Sequence, residues 1–161
     1  MGEILARDAV AAKAADLRQQ GKRIVTTNGC FDILHVGHIR CLKAARALGD
    51  VLILGLNSDQ SVRRIKGHAQ GPPRPVNCQE DRAEVLASLG CVDYVVIFTE
   101  DTPIEFIKDV RPDVHAKGGD YKAADLEETP IVEGMGGRME IIKFVPGRST
   151  TELLEKIQSS G

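Results

Sequence analysis

Residues 51–56, VLILGL, carry no polar side chain at all. A strand that is apolar at both odd and even positions has no face for water, so it must be covered on both sides. A parallel sheet flanked by two helical layers provides that cover. Four more runs have strand character: RIVTT (23–27), YVVIF (94–98), DVHAK (113–117) and MEIIKF (139–144). Segments of helical period lie between them. RDAVAAKAADLRQQ (7–20) predicts an N-terminal helix stopped by Gly21. Residues 37–48 predict a second helix, with Ile39, Leu42, Ala45 and Leu48 on one face and Gly49 after its end. A short basic helix is expected at 58–66, and another from an N-cap at Asn77, with Glu80 three residues on, to about Leu89. TPIE (102–105) reads as a Thr cap followed by Pro at the first helical position, and STTE (149–152) as the cap of a C-terminal helix.

Strands alternating with helices imply right-handed crossovers and one α/β domain spanning 1–161. In such sheets ligands bind beyond the carboxyl ends of the strands. That rule places residues 28–38, 57–59, 117–121 and 147–150 along one rim. A chain of 161 residues with a formal charge of −2 has no broad basic field, so a nucleic-acid-coating role is disfavoured and any anion site is local. No apolar run approaches the ~20 residues of a membrane span. Cys30, Cys41, Cys78 and Cys91 form no CxxC pair and the N-terminus lacks the order of a signal peptide, so reduced thiols and a cytoplasmic location are expected.

The chemistry concentrates in NGCFDILHVGH (28–38). Merely turning a strand into a helix needs one Gly and a polar cap; here two histidines, His35 and His38, flank Gly37. A plain turn with two hydrogen-bonded histidines is one reading. A zinc site using Cys30, Cys41 and the histidines is another, although zinc sites use tighter Cys pairs. The third is a phosphate site. A helix N-terminus favours an anion, Gly37 leaves room for a nucleotide, and both imidazoles can donate to phosphate oxygens.

The run Gly29-Cys30-Phe31-Asp32-x-Leu34-His35-x-Gly37-His38 resembles the HxGH signature of the cytidylyltransferase-like nucleotidyltransferases. The resemblance continues through LNSDQSV (56–62), KG…RPVN (66–77), DRAEVLASLGCVD (81–93), EDTP (100–103), KGGDY (117–121) and STTELLEKI (149–157). Within the superfamily, KGGDY followed by STT is most similar to the heptose 1-phosphate adenylyltransferases. The resemblance implies a single Rossmann-like domain of the HxGH nucleotidyltransferase fold. It implies transfer of AMP from ATP, with Mg2+, to a sugar 1-phosphate, here D-glycero-D-manno-heptose 1-phosphate. It also implies a homo-oligomer, taken as a dimer, with neither nucleic acid nor membrane as partner. A cytidylyltransferase for glycerol 3-phosphate shares the same histidine site and is the alternative. A nucleotide sensor without turnover would not need both histidines, and an aminoacyl-tRNA synthetase would need tRNA-binding domains that do not fit in this length.

The reaction so implied needs no general base, because a phosphate nucleophile is already anionic. It requires positioning and neutralisation of charge on the triphosphate. His35 and His38 match the signature histidines and are expected to stabilise the reacting phosphates. Lys43 reads equally as a phosphate contact or a solvated helix face. Arg82 reads as a phosphate ligand by resemblance or a salt bridge within its helix. Asp32 can orient a histidine, touch Mg2+ or cap the turn, and the metal ligands stay undefined. Gly29, Cys30, Phe31, Gly37 and Asn57 are placed on the nucleotide side of the rim. Lys117, Gly119 and Asp120 are expected at the ligand, with Asp120 either taking a hydroxyl or ending a turn. Ser149 and Thr150 can cap a helix and bind phosphate together. Superfamily members often carry an Arg after this last motif; here Leu153-Leu154 follow, and Arg148, just before it, is the expected replacement.

Overall fold

A computed structural model describes residues 1–143 and 149–161. Six strands form one parallel sheet: β1 (Glu3–Leu5), β2 (Ile24–Gly29), β3 (Val51–Asn57), β4 (Tyr94–Phe98), β5 (Val114–Gly118) and β6 (Arg138–Ile142), in the order β1-β4-β3-β2-β5-β6. The helices are α1 (Val10–Gln19), α2 (Val36–Arg46), α3 (Asp59–Lys66), α4 (Gln79–Ala87), α5 (Ile104–Val110), α6 (Glu128–Gly134) and α7 (Thr150–Ser159).

The all-apolar run behaves as its composition requires. Along β3, Leu52, Leu54 and Leu56 enter one core with Leu42 and Ala45 of α2 and Leu86 of α4. Val51 and Ile53 enter a second core on the opposite face with Val10, Ala14 and Leu17 of α1, Phe106 and Ile107 of α5 and Val132 of α6. Fully burying one such side chain contributes about 1.5–3 kcal/mol, and both faces of β3 collect it.

Counted from β2, the strand order is 3-2-1-4-5, which reverses between β2 and β5; a crevice forms where the order reverses. The register shows how it opens. β2 pairs with β3 through Gly29↔Leu56 and β5 with β6 through Gly118↔Ile142, but β2 and β5 pair only at Val25↔Val114 and Thr26↔His115 among the described residues. Past Thr26 and His115 the centre of the sheet divides.

Three local expectations are corrected. Asn77 does not cap α4: Cys78 holds that position, because the Asn77 side chain is spent donating to the Asp32 carbonyl. Thr102 does not cap α5, whose N-cap is Pro103 without a side-chain bond. The last strand begins at Arg138 and ends at Ile142, and residue 144 of the expected run lies outside the described residues. Ser149 does cap α7, accepting from the Glu152 amide at 3.1 Å. β1 and α6 were not anticipated, the first being only three residues long.

Candidate active site

The two histidines cap their own helix. The Gly37 amide donates to His35 Nδ1 at 3.1 Å, and the His35 amide donates to His38 Nδ1 at 3.3 Å. The rings lie 3.9 Å apart, tilted by 34°. An imidazole that accepts at Nδ1 carries its proton on Nε2 when neutral, so both rings are set as Nε2–H donors. Backbone N–H groups at the mouth of α2 are thereby occupied by imidazole, and the imidazoles present N–H groups in their place. His38 is held neutral, its pKa lowered to about 4 by burial, then by the adjacent His35 and by Lys66. The Phe31 ring packs 5.4 Å from His38, centroid to centroid. Phe31 adopts φ 45°, a left-handed conformation that costs a non-glycine residue about 1–3 kcal/mol. Gly29 makes room for it, since a Cβ there would stand 2.9 Å from the Phe31 ring.

Asp32 and Arg82 turn inward. The Asp32 carboxylate accepts from Arg74 Nε at 2.8 Å, the Val76 amide at 2.8 Å and the Asn77 amide at 2.9 Å. Burial raises its pKa, but the Asn77 and Val76 amides and the Arg74 guanidinium outweigh burial and leave it lowered. Arg82, 2% exposed, donates to the carbonyls of Asn77, Cys30 and Asn57 and, at 2.7 Å, to Asp59 Oδ1. One guanidinium thus ties the ends of β2 and β3 to α3 and α4. Four of its five N–H donors end on protein, so this geometry favours a structural tie over the phosphate-ligand reading of Arg82. Asn57 is likewise buried, with its amide on Ser61 Oγ at 2.9 Å. Cys30 serves the rivet through its carbonyl, and burial pushes its thiol pKa up.

For Lys43 the geometry favours the solvated helix face. It is exposed on α2, and five residues past His38 amounts to roughly 140° around the helix. Its charge reaches Cys91 instead, whose thiol is pushed up by burial and pulled back partly by Lys43. Among the described residues, Lys66, at the last position of α3, is a cation whose charge is felt at His38, and it also lowers the Cys30 pKa against the dominant effect of burial.

On the β5 side of the divided seam, Lys117 Nζ meets Glu128 Oε1 at 2.7 Å, and lies 5.5 Å from the Tyr121 ring centroid. Gly119 takes φ 146°, and a Cβ there would strike the Tyr121 ring at 2.4 Å, so this turn requires glycine. Asp120 is exposed beside it. Thr150 Oγ1 donates to the Ile33 carbonyl at 3.1 Å, which brings the start of α7 against the histidine loop. Arg148 lies outside the described residues.

The rim therefore brings together Gly29, Phe31, His35, Gly37, His38, Lys117, Gly119, Ser149 and Thr150. Lys66, Arg74 and Glu128 were missed as part of it. Lys66 was visible in the KG…RPVN run; Glu128 gave no local signal, because its partner is eleven residues away on another element. Among the described residues, no three His, Cys, Asp or Glu side chains converge as a metal site, and no helix is long and apolar enough to cross a membrane.

A Rossmann-ordered parallel sheet, with a histidine-lined helix mouth where the strand order reverses, defines a nucleotide-binding type of α/β domain. The cytidylyltransferase-like family model matches residues 26–156, and the chain belongs to that family. It is 53% identical over 150 residues to the bifunctional protein HldE of Geobacter sulfurreducens, covering 93% of this chain and 30% of that protein. With the bifunctional protein HldE of Wolinella succinogenes it shares 50% identity over 157 residues, covering 98% of this chain and 31% of that protein. The chain thus spans about 30% of the length of the curated relatives it matches. Among solved structures, the lipopolysaccharide core biosynthesis protein from Thermoplasma volcanium GSS1 is similar at TM-score 0.62 and 29% identity, covering 78% of this chain and 98% of that one. Pantoate-beta-alanine ligase from Francisella tularensis shares the fold at TM-score 0.61 and 14% identity, covering 94% and 69%.

Proposed function

We propose that this chain transfers AMP from ATP to D-glycero-D-manno-heptose 1-phosphate, giving ADP-heptose and pyrophosphate. The observation that carries this reading is the orientation of His35 and His38, both accepting backbone N–H at Nδ1 and so presenting Nε2–H. A sugar 1-phosphate oxygen attacks the α-phosphorus of ATP, a new P–O bond forms, and the bond to the β-phosphate oxygen breaks. No proton has to move. The two Nε2–H groups donate to phosphate oxygens as charge builds, with Lys66 behind them. Donors fixed before the reaction are worth more than water, because they need not reorganise.

Mg2+ suits this donor set when it arrives with the triphosphate, which holds it mostly through phosphate oxygens and water. Asp32 is not a ready ligand, since its carboxylate is taken by Arg74 and two amides. When bound, the ion supplies further charge neutralisation on the phosphates. The heptose acceptor is supported by the KGGDY and STT runs and by the similarity to HldE over most of the chain. The same resemblance supports a dimer, which light scattering in solution tests, and use of ATP supports a cytoplasmic reaction.

The test is competitive. Equal ATP and CTP are supplied with heptose 1-phosphate and glycerol 3-phosphate together, and products are resolved by mass. ADP-heptose is expected. CDP-glycerol as the main product would replace the substrate assignment, and no pyrophosphate with any pair would end the enzymatic reading. EDTA should stop turnover without lowering Tm, and added Mg2+ should restore it; melting on chelation would instead point to a structural metal.

A further inference from the structure

Where β2 and β5 part, the structure holds polar groups that the phosphate chemistry does not use. Thr26 and His115 form the last paired step, with Thr26 Oγ1 and His115 Nδ1 at 2.7 Å. Asn28 and Lys117 stand two residues further along each strand, so their side chains share a face with that pair and flank the opening. Glu128, on α6 at the same face, receives Lys117 Nζ at 2.7 Å and is 3% exposed. Two buried polar atoms in this group, Asn28 Oδ1 and His115 Nε2, have no hydrogen-bond partner among the described residues. His115 is fully buried. A buried acceptor left unmade costs about 1–3 kcal/mol, so a fold that keeps one at a crevice has a reason outside its own packing.

Resting on the nucleotidyl-transfer reading, we infer that this divided seam is the subsite for the hydroxyl-bearing body of the acceptor. In it Asn28 accepts from and donates to sugar hydroxyls, Lys117 donates to a hydroxyl oxygen, and Glu128 positions Lys117. The charges separate this subsite from the phosphate site. Lys117 and Glu128 cancel, and His115 is neutral at pH 7, its pKa lowered to about 4 by burial, with Glu128 raising it and Lys117 lowering it. A group of side chains without net charge suits neutral hydroxyls, whereas the histidine mouth with Lys66 suits phosphate. A hydroxyl both donates and accepts, which matches a carboxamide and an ammonium on the same face of the sheet.

The experiment compares the full chain with Asn28→Leu, Lys117→Met and Glu128→Gln. KM is measured for heptose 1-phosphate and for ATP, together with the ratio of turnover on heptose 1-phosphate to glycerol 3-phosphate, and Tm. Asn28→Leu should raise KM for heptose 1-phosphate about tenfold and leave KM for ATP within about threefold. Its Tm should be unchanged or higher, because an unmade buried acceptor has been removed; a purely structural Asn28 would lower it. Glu128→Gln should raise the sugar KM in the same direction as Lys117→Met, and Lys117→Arg should recover part of the loss. An ATP KM that rises as much as the sugar KM, or an unchanged heptose preference, overturns the assignment. If the wild type releases no pyrophosphate with any pair, the transfer reading falls separately. Calorimetry with heptose 1-phosphate alone then decides the seam: tighter binding by wild type than by Asn28→Leu supports it, and equal or absent binding overturns it.

Discussion

The carboxylate of Asp32 and the guanidinium of Arg74 form an ion pair at 2.8 Å in the interior, with side-chain exposures of 0% and 10%. The same carboxylate accepts the Val76 and Asn77 amides, and the Asn77 side chain donates back to the Asp32 carbonyl at 2.8 Å. This binds the Pro-rich 67–77 segment, which follows Lys66, to the loop that precedes His35. The end of α3, with Lys66, and the histidine loop are therefore held by one latch.

Removing that latch should loosen both loops at once. For Asp32→Ala we expect a loss of about 3–5 kcal/mol of stability, the usual cost of stranding one member of a buried pair. Asp32→Asn should fall between, keeping the shape but not the charge. Because the folded pKa lies below the ordinary 3.8, the Asp32 contribution is complete at neutral pH and fades only as pH falls below that value. Urea unfolding at pH 7 and pH 3 measures it; an Asp32→Ala protein as stable as wild type at pH 7 would dismiss the latch.

Arg82 yields a prediction opposite to the one its resemblance implies. Its four hydrogen bonds all end on protein, so Arg82→Met should cost about 3–5 kcal/mol of unfolding free energy. Arg82→Lys should not rescue it, since a point charge cannot replace a fork that reaches four acceptors. Unchanged stability with a raised KM for ATP would return Arg82 to the phosphate.

The contrast between Arg82 and VLILGL shows what the sequence can carry. The apolar run needs only its own residues to demand two covered faces, and the sheet follows from several such runs. The HxGH mouth is equally local, because both imidazoles bond to amides within three residues. Arg82 and Asp32 are decided by partners up to 52 and 45 residues away, and a list of residue types does not say whether a charge faces a ligand or a carbonyl. Lys43 was decidable, since five residues along a helix turn it away from His38. Glu128 was not, because it becomes relevant only when α6 packs beside β5, and Lys66, although it opens the KG…RPVN run, shows no link to the histidines until α3 is in place.

His115 should write itself into the pH dependence of stability. Its folded pKa of about 4 lies below its ordinary 6.5, so the unfolded chain takes up the proton first as pH falls. The stability it contributes is complete above 6.5 and is lost between 6.5 and 4, on the order of 3 kcal/mol in all. His115→Leu removes that loss while giving up one hydrogen bond to Thr26, worth about 1 kcal/mol at pH 7. The difference in unfolding free energy between wild type and variant should therefore shrink, then reverse, on going from pH 7 to pH 4. A difference that stays constant with pH would show that His115 titrates normally.

His38 should behave as a neutral donor in catalysis, and that can be separated from its part in the helix cap. On the proposed reaction, His38→Ala would take away one Nε2–H donor to the phosphates, a loss that typically costs about 10²–10³ in turnover. It also removes the acceptor for the His35 amide, which costs helix stability about 0.5–2 kcal/mol, so Tm should drop slightly while the fold persists. His38→Gln supplies another N–H donor and should recover part of kcat. With the folded pKa lowered to about 4, His38 stays neutral from pH 8 down to pH 5, and kcat should show no inflexion near 6.5 from this residue. A kcat that falls as pH rises through 6.5 in wild type, and does not in His38→Gln, would mean that the ring works as an imidazolium. In that case the tautomer set by the two Nδ1 bonds would not be the catalytic state.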